Sequence, residues 1–242
     1  MRLDKFLCDN HIGSRSEVKT LIKKGLITVN NQVAKDPGMN IDGSKDSVFY
    51  KGAPVQSEAI DSCVYALYKP TGYVCSKEEK DGIPVFELLP ENIRESFSSI
   101  GRLDKDTTGL LLFTNDGELL HLLISPRRHV DKTYIVSCEK EITEEDCVKL
   151  SDGVNLGDGE VSLPAKCELN QANSKVISIT IHEGKYHQIK RMMKATCNKV
   201  TALHRISFGN LSIESLSLKE KEGRFLNESE IELLKSSPER KV

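Results

Sequence analysis

The sequence has no long apolar run, and this lack excludes a membrane-spanning protein. No stretch among its 242 residues approaches the roughly 20 apolar residues that a membrane-spanning helix needs. The first residues, Met1–Phe6, also lack the apolar core of a signal peptide. With 38% apolar and 29% charged residues, the composition is ordinary for a soluble globular protein. We therefore expect a cytoplasmic protein that does not contact a membrane.

Paired cysteines are lacking as well. The seven cysteines are odd in number and include no Cys-x-x-Cys pair; they are Cys8, Cys63, Cys75, Cys138, Cys147, Cys167 and Cys197. This pattern favours reduced thiols and argues against disulfides and a zinc site. Four histidines could suggest another metal, namely His129, His182, His187 and His204. They have no carboxylate or thiol companions at ligand spacing, so we predict no metal.

The formal net charge of −2 does not favour nucleic-acid binding, but the distribution of charge does. The segment Thr180–Arg205 contains six Lys and Arg residues against one carboxylate. The segment Glu139–Glu160 contains eight carboxylates against two lysines. Segregated charge of this kind creates a local field that attracts phosphates even on a nearly neutral molecule.

The first fifty residues have the pattern of a small module with two helices and a hairpin. Leu3 and Leu7 lie at helical spacing and predict a short helix over Arg2–Asn10. Ser14 and Glu17 have the spacing of a capping box, which predicts the start of a second helix. That helix would carry a basic face on its side opposite the apolar stripe, formed by Arg15, Lys19 and Lys23 with Lys24 adjacent.

A hairpin is predicted after the second helix. Its strands are Leu26–Val29 and Gln32–Ala34, and Asn30-Asn31 between them tolerates the positive φ of a tight turn. The whole arrangement over residues 1–50 resembles the S4 RNA-binding domain. The resemblance implies that Arg15, Lys19, Lys23 and Lys24 contact the RNA backbone, which suits recognition of structured RNA by shape.

The remaining chain predicts a larger α+β domain. Lys51–Ser62 is polar and irregular and is interpreted as a linker, residues 63–235 as the second domain, and residues 236–242 as a frayed tail. The predicted strands are Val64–Tyr68, Leu110–Thr114, Lys132–Cys138 and Val176–Ile181; the predicted helices are Glu118–Ile124, Thr143–Leu150 and His187–Ala195. Short strands and helices without a βαβ rhythm favour a mixed, largely antiparallel sheet flanked by helices.

The most informative segment is Gly101–Gly117. Its apolar run, Leu110–Phe113, predicts a buried strand, and the residues before it are far more polar than a connection needs. A carboxylate beside cations at the end of a buried strand is typical of a functional site. Asp104 and Asp106 also suggest the carboxylate pair of a glycosidase, but two residues apart at a turn they need not flank a bond.

This segment resembles the catalytic motif of the pseudouridine synthases, in the branch that contains ribosomal small subunit pseudouridine synthase A. Four further segments match the same family: Tyr68–Ser76, Ser125–Tyr134, Glu183–Met192 and Ala202–Arg205. With the S4-like module, the resemblance covers nearly the whole chain. It implies an isomerase that converts uridine to pseudouridine and requires no cofactor.

The resemblance also implies roles for individual residues. Asp104 is expected to be the catalytic carboxylate, as nucleophile or as base, and Lys190 the cation that keeps it ionised. Tyr134 is expected to stack on the uracil and to help remove the proton from C5. Among the residues expected to bind substrate, Leu203 packs beneath the base and Arg102 fills the gap that the flipped nucleotide leaves. The other two are Thr107 and Arg191.

The substrate implied by the resemblance is ribosomal RNA. Tyr186-His187-Gln188 and Tyr73–Ser76 are similar to the small-subunit branch, so we expect a specific uridine of 16S RNA (the position-516 type) in an assembly intermediate, modified by a monomer. Two alternatives remain open: a large-subunit (23S) pseudouridine synthase of the same family, and a non-catalytic S4-type assembly factor that has kept the fold.

Overall fold

The computed structural model describes residues 1–10, 12–43, 45–55, 63–77, 82–125, 128 and 130–237. The chain divides into two compact units, Met1–Ser62 and Cys63–Val242. Within the described ranges, no helix is long and apolar enough to cross a membrane. Most of the expected linker, residues 56–62, and most of the expected tail, residues 238–242, lie outside the described residues.

The described part of the first unit contains two helices and a four-stranded sheet. In chain order the elements are α1 (Leu3–Asp9), α2 (Arg15–Lys23), β1 (Ile27–Val29), β2 (Gln32–Val33), β3 (Val48–Tyr50) and β4 (Ala53–Pro54). The strands are antiparallel in the order β2-β1-β3-β4. One face of each helix packs on the sheet, with Leu3, Leu7, Val18 and Ile22 all buried.

Local sequence explains how this unit begins and turns. The capping box of α2 is present, because the Ser14 hydroxyl accepts from the Glu17 amide while the Glu17 carboxylate accepts from the Ser14 amide. Asn30 and Asn31 both have positive φ, of 50° and 63°, and form the predicted hairpin turn. The structure differs from the predicted start of the linker at Lys51. Lys51 and Gly52 make a turn, and β4 after them pairs with β3.

The second unit contains thirteen strands and four α-helices in its described part. The strands are β5 (Val64–Lys69), β6 (Tyr73–Val74), β7 (Ile83–Pro84), β8 (Ser98–Ile100), β9 (Thr107–Thr114), β10 (Lys132–Cys138), β11 (Asn155–Gly157), β12 (Glu160–Val161), β13 (Lys166–Leu169), β14 (Val176–Ile181), β15 (Val200–Phe208), β16 (Leu211–Ser212) and β17 (Gly223–Phe225). The helices are α3 (Gly117–Ile124), α4 (Glu144–Asp152), α5 (Gln188–Ala195) and α6 (Glu228–Lys235).

Nine of these strands form one sheet. Its main order is β13-β14-β10-β15-β9-β5-β17, with β16 paired to β15 and β8 to β9. All neighbours in this sheet are antiparallel except β9 and β15, which are parallel. The predicted mixed, largely antiparallel sheet is therefore confirmed.

Strand β9 lies in the middle of the domain and is buried on both faces. Leu111 and Phe113 belong to the apolar cluster on one face of the sheet, and Leu110 and Leu112 to the cluster on the other. A continuous apolar run is what a strand covered on both sides requires. Because the strand is fixed on both faces, the loop that precedes it has a rigid base.

The start of β9 differs from the sequence prediction. Strand β9 begins at Thr107 instead of Leu110, so Thr107 is a buried strand residue with 1% exposure. After the strand, the Asp116 carboxylate caps α3 by accepting from the amides of Glu118 and Leu119. The predicted tail also begins later than expected, since Ser237 is buried and its hydroxyl accepts from the Asn210 amide.

Candidate active site

A cavity of about 970 Å³ opens in the second unit above the centre of the large sheet. Its walls come from the loop before β9, the inner ends of β10 and β15, and the connection from β14 to α5. Six of the seven residues predicted for the catalytic centre and substrate contacts line it: Arg102, Asp104, Thr107, Tyr134, Lys190 and Leu203. The strand pairing therefore brings together residues from four separate sequence motifs.

The carboxylate of Asp104 lies between two basic side chains at the rim of the cavity. Lys190 Nζ is 3.2 Å from Asp104 Oδ2, and His187 Nε2 is 3.7 Å from Oδ1. About a third of the Asp104 side chain is exposed, so it is held in position and remains open to a ligand. His187 adopts left-handed backbone geometry, with φ 48°, at the start of α5, which turns the chain from β14 into the helix.

Asp106 competes for the same ammonium group. Lys190 Nζ lies 2.6 Å from Asp106 Oδ1 and 2.9 Å from Oδ2, closer than to Asp104. Burial opposes the charge on Lys190, but hydrogen bonds and charge from Asp106 and Asp104 outweigh it and raise the Lys190 pKa. Burial also opposes the charge on Asp106, but the hydrogen bond and charge of Lys190 outweigh burial, so the Asp106 pKa is lowered. The carboxylates of Asp104 and Asp106 share one cation, Lys190. The carboxylates of a glycosidase instead lie on opposite sides of the bond that they cleave.

A buried lysine is hydrogen-bonded to the backbone of the loop that carries Asp104. Lys69, with 0% exposure, donates hydrogen bonds to the carbonyl oxygens of Pro70 at 3.0 Å, Asp104 at 3.0 Å and Thr107 at 2.8 Å. Burial lowers the Lys69 pKa. Sequence reasoning missed this role, although a lysine at the end of the apolar strand β5 was a signal that could have revealed it.

The floor of the cavity is made by the side chains of three neighbouring strands. Tyr134 on β10 lies opposite Arg205 on β15, and Thr107 on β9 lies opposite Leu203 on β15. Tyr134 and Leu203 are 7% and 8% exposed, so each presents only a small part of its surface to the cavity. An aromatic ring beside an aliphatic side chain suits a flat base.

Close approach of β9 to β15 depends on a glycine. Gly109 has φ +115°, and a Cβ there would lie 2.2 Å from the backbone oxygen of Arg205. Only glycine therefore permits this parallel pairing, which sets Thr107 beside Leu203.

The two arginines predicted to bind substrate lie in different places. Arg102 is exposed at the cavity wall. Arg191 does not line the cavity; its guanidinium bonds the carbonyl oxygens of Leu156 and Gly157 and pairs with Glu160 at 2.6 Å. These contacts fasten α5 to the β11–β12 hairpin, so the geometry gives no support for the predicted substrate contact of Arg191.

The histidines considered as metal ligands have other neighbours. His204 Nδ1 lies 2.8 Å from the Thr108 hydroxyl, and its ring packs on Tyr68. His187 faces Asp104, and His129 lies outside the described residues. Among the residues that the structure describes, no group of three His, Cys, Asp or Glu side chains has the arrangement of a metal site.

Comparison with known proteins assigns both units to families. Residues 64–195 match the RNA pseudouridylate synthase family, and residues 1–47 match the S4 domain. An RNA pseudouridine synthase of Bacillus subtilis, YtzG, described as uncharacterized, is 42% identical over 97% of this chain and 98% of its own. The ribosomal small subunit pseudouridine synthase A of Vibrio vulnificus is 40% identical over 96% and 98%.

A solved structure agrees with these relatives. A crystal structure of a pseudouridylate synthase superposes with a TM-score of 0.69 at 34% identity, covering 97% of this chain and 99% of the other. The chain belongs to the RNA pseudouridylate synthase family and carries an S4 domain at its N-terminal end. The resemblance inferred from the motifs is thereby confirmed, as is an isomerase that acts on RNA.

Proposed function

We propose that this protein converts one specific uridine of 16S ribosomal RNA to pseudouridine, with Asp104 as the catalytic carboxylate. The observation that carries the proposal is the position of Asp104 between Lys190 and His187, above a floor of Tyr134 and Leu203. One carboxylate held between an ammonium group and an imidazole beside a base-sized apolar surface is suited to act on the sugar of an extruded nucleotide.

The reaction moves a base from one bond to another on the same sugar. The N1–C1′ bond breaks, the uracil turns, C5 bonds to C1′, and C5 loses a proton while N1 gains one. Asp104 assists either by attacking C1′ or by removing a proton from C2′, and in both cases the Lys190 ammonium, 3.2 Å away, pairs with its carboxylate. In this proposal Tyr134, which lines the cavity, stacks on the base, and its hydroxyl takes part in the proton transfer at C5.

Recognition of the correct RNA requires a further contact surface. The side chains of Arg15, Lys19 and Lys23 on α2, and of Lys24 directly after it, are exposed and form no ion pair within the described part of the chain. Unpaired cations on one helix suit phosphates of structured RNA. We assign these four residues to RNA binding, and Arg102 at the cavity wall to the space vacated by the flipped nucleotide.

The 16S substrate is supported by the names of the relatives and by one local feature. The relatives of several Vibrio species are named ribosomal small subunit pseudouridine synthase A, at 37–40% identity over nearly the full chain. Tyr186 is 75% exposed and stacks on His187 with ring centroids 3.9 Å apart, which offers a flanking nucleotide an aromatic platform beside Asp104. We place the reaction in the cytoplasm, during assembly of the small subunit.

Carbodiimide mapping of pseudouridine tests the proposal. Ribosomal RNA from cells lacking the protein is incubated with the purified enzyme, and we expect one new pseudouridine, in 16S RNA. Asp104→Asn should abolish it, whereas Asp106→Asn, which removes the same charge two residues away, should slow it less than tenfold because the Lys190–Asp104 pair remains. A new site confined to 23S RNA would favour the large-subunit alternative, and no site in any RNA would favour the binding factor.

A further inference from the structure

Two further cations, Lys132 and Arg205, line the cavity and are separate from the Lys190–Asp104 ion pair. Lys132 Nζ is 5.4 Å from the centroid of the Phe208 ring, and the guanidinium carbon of Arg205 is 5.5 Å from the same centroid. Neither forms an ion pair with any carboxylate that the structure describes.

Strand β15 is irregular next to the point where both cations approach the Phe208 ring. Lys132 pairs with Phe208 and Tyr134 pairs with Arg205, so Ile206 is an extra residue on β15 without a partner of its own. At this bulge both Arg205 and Lys132 approach the ring of Phe208, which packs in the cluster of Leu110 and Leu112, whereas Tyr134 packs in the cluster of Leu111 and Phe113. Along the strands, Tyr134 lies between Leu203 at one end and the Lys132–Phe208 pair at the other.

The two cations have unused hydrogen-bonding capacity. Arg205 is 1% exposed; its Nε donates to the Leu110 carbonyl at 2.8 Å, but one terminal nitrogen has no partner among the described residues. Within the same ranges, the one hydrogen bond of the Lys132 ammonium goes to the Val130 carbonyl at 2.8 Å. A guanidinium has five donors and an ammonium three, so both can donate a hydrogen bond to a further oxygen atom.

Holding these like charges together is unfavourable for the folded protein. Burial, and secondarily the charge of Arg205, lower the pKa of Lys132 to about 8, although Asp131 and Glu183 oppose the shift. Glu183 Oε1 is itself occupied by the Leu163 amide and the Gln188 side chain. Partly desolvated cations of this kind at a cavity are typical of a site that receives negative charge from a ligand.

We propose that Lys132 and Arg205 bind a carbonyl oxygen of the flipped uracil and stabilise the negative charge that this base acquires when its bond to the sugar breaks. The electron pair of the N1–C1′ bond passes to N1 and is delocalised onto the uracil oxygens. The negative charge disappears when C5 uses this electron density to form its bond to C1′. No oxidation or additional reactant is involved. This proposal rests on the proposed reaction and names the groups that bear the charge of the departing base.

A phosphate is a poorer fit to the same cations. Arg205 is almost wholly buried, and Leu123 and Val130, both 1% exposed, lie at the same end of the cavity. An RNA phosphate remains on the outside of its chain when a base is extruded, whereas the base itself enters the pocket. The uracil oxygens are therefore the acceptors that reach this floor.

The first test compares Lys132→Met, Lys132→Arg and Lys166→Met under single-turnover conditions with saturating 16S RNA. Lys132→Met keeps the length of the side chain without its charge and should slow isomerisation at least thirtyfold, with RNA affinity within threefold of wild type. Lys132→Arg should recover at least half of the loss on a logarithmic scale. Lys166, exposed on β13 and paired with Glu168, is the matched control and should leave the rate unchanged.

The second test changes the base instead of the protein. Fluorine at C5 withdraws electrons and stabilises a departing uracil anion, so consumption of a 5-fluorouridine target should depend less on Lys132. We expect the Lys132→Met loss to be at least fivefold smaller for 5-fluorouridine than for uridine. Equal losses on both bases, or a Lys132→Met rate within threefold of wild type, would overturn the proposal. A wild-type enzyme inactive on every RNA would instead overturn the proposed function.

Discussion

Lys69 Nζ donates a hydrogen bond of 3.0 Å to the backbone carbonyl of Asp104, so this residue is held at its main chain as well as at its carboxylate. The same ammonium also binds the carbonyls of Pro70 and Thr107. One buried cation thus joins the end of β5 to both ends of the Asp104 loop. Since catalysis depends on placing a group to within about half an ångström, this contact is as relevant to activity as to stability.

We predict that Lys69→Met lowers both stability and rate. Three carbonyl oxygens lose their donor, which costs on the order of 1–3 kcal/mol each when buried, while removal of a buried charge offsets part of that loss. We expect a net loss of about 2–4 kcal/mol in urea unfolding and a rate at saturating RNA at least tenfold lower. Lys77→Met removes an exposed bond to the Glu95 carbonyl and is the control. An unaltered rate in a folded Lys69→Met protein would show that the Asp104 loop keeps its active conformation without this lysine.

Lys190 should contribute through its charge. Lys190→Met leaves the carboxylates of Asp104 and Asp106 without their shared cation, so we expect a rate at least a hundredfold lower at neutral pH. Lys190→Arg keeps a cation between them and should stay within about tenfold of wild type. Single-turnover rates at saturating RNA measure both variants, and a Lys190→Met enzyme with the Lys190→Arg rate would contradict the role.

The sequence predicted much of this site, for reasons visible in particular residues. The apolar run of β9 and the strands Lys132–Cys138 and Val176–Ile181 are local patterns, and the structure confirms their positions. Placing Arg205 beside Tyr134 depended on a bulge at Ile206 and a parallel pairing with β9, which no local pattern specifies. Such contacts arise from register between distant segments.

Arg191 illustrates the same limit on a helix. It follows Lys190 directly, and adjacent residues on an α-helix point about 100° apart, since 3.6 residues complete a turn. One therefore faces Asp104, and the other faces the β11–β12 hairpin. The resemblance predicted that Lys190 pairs with Asp104 and that Arg191 binds substrate, and the orientation of α5 supports only the first of these contacts.

The basic face of α2 should determine the salt dependence of RNA binding. Replacing Arg15, Lys19 and Lys23 together by Gln removes three predicted phosphate contacts. Each lost contact should reduce the slope of log affinity against log salt by about 0.7–0.9. The control replaces Lys149, Lys166 and Lys235, which are all paired with carboxylates, and should leave the slope unaltered. Equal slopes for the two triple variants would show that this face does not contact RNA.

Lys132 should cost the folded protein stability at neutral pH. Its pKa is about 8 in the folded protein against an ordinary lysine value of 10.5, so the unfolded chain binds the proton more tightly. Stability should therefore rise as pH increases from about 8 to 10.5. We expect Lys132→Met to be more stable than wild type at pH 7, on the order of 1–2 kcal/mol after allowance for partial exposure, with the advantage shrinking towards pH 10. Urea unfolding at both pH values measures it, and a destabilised variant at pH 7 would show that the ammonium is well accommodated.

The state of the RNA should decide whether the enzyme works. The cavity encloses Asp104, Tyr134 and Leu203 within one unit, so the target base has to leave its stack and enter alone. A short free oligonucleotide lacks the folded shape that an S4 domain recognises and should be a poor substrate. A mature small subunit keeps the uridine packed and should resist, whereas free 16S RNA or an assembly intermediate should be modified at one position. Pseudouridine mapping after incubation with each substrate measures this, and rapid modification of the oligonucleotide or of the mature subunit would show that RNA shape does not control the reaction.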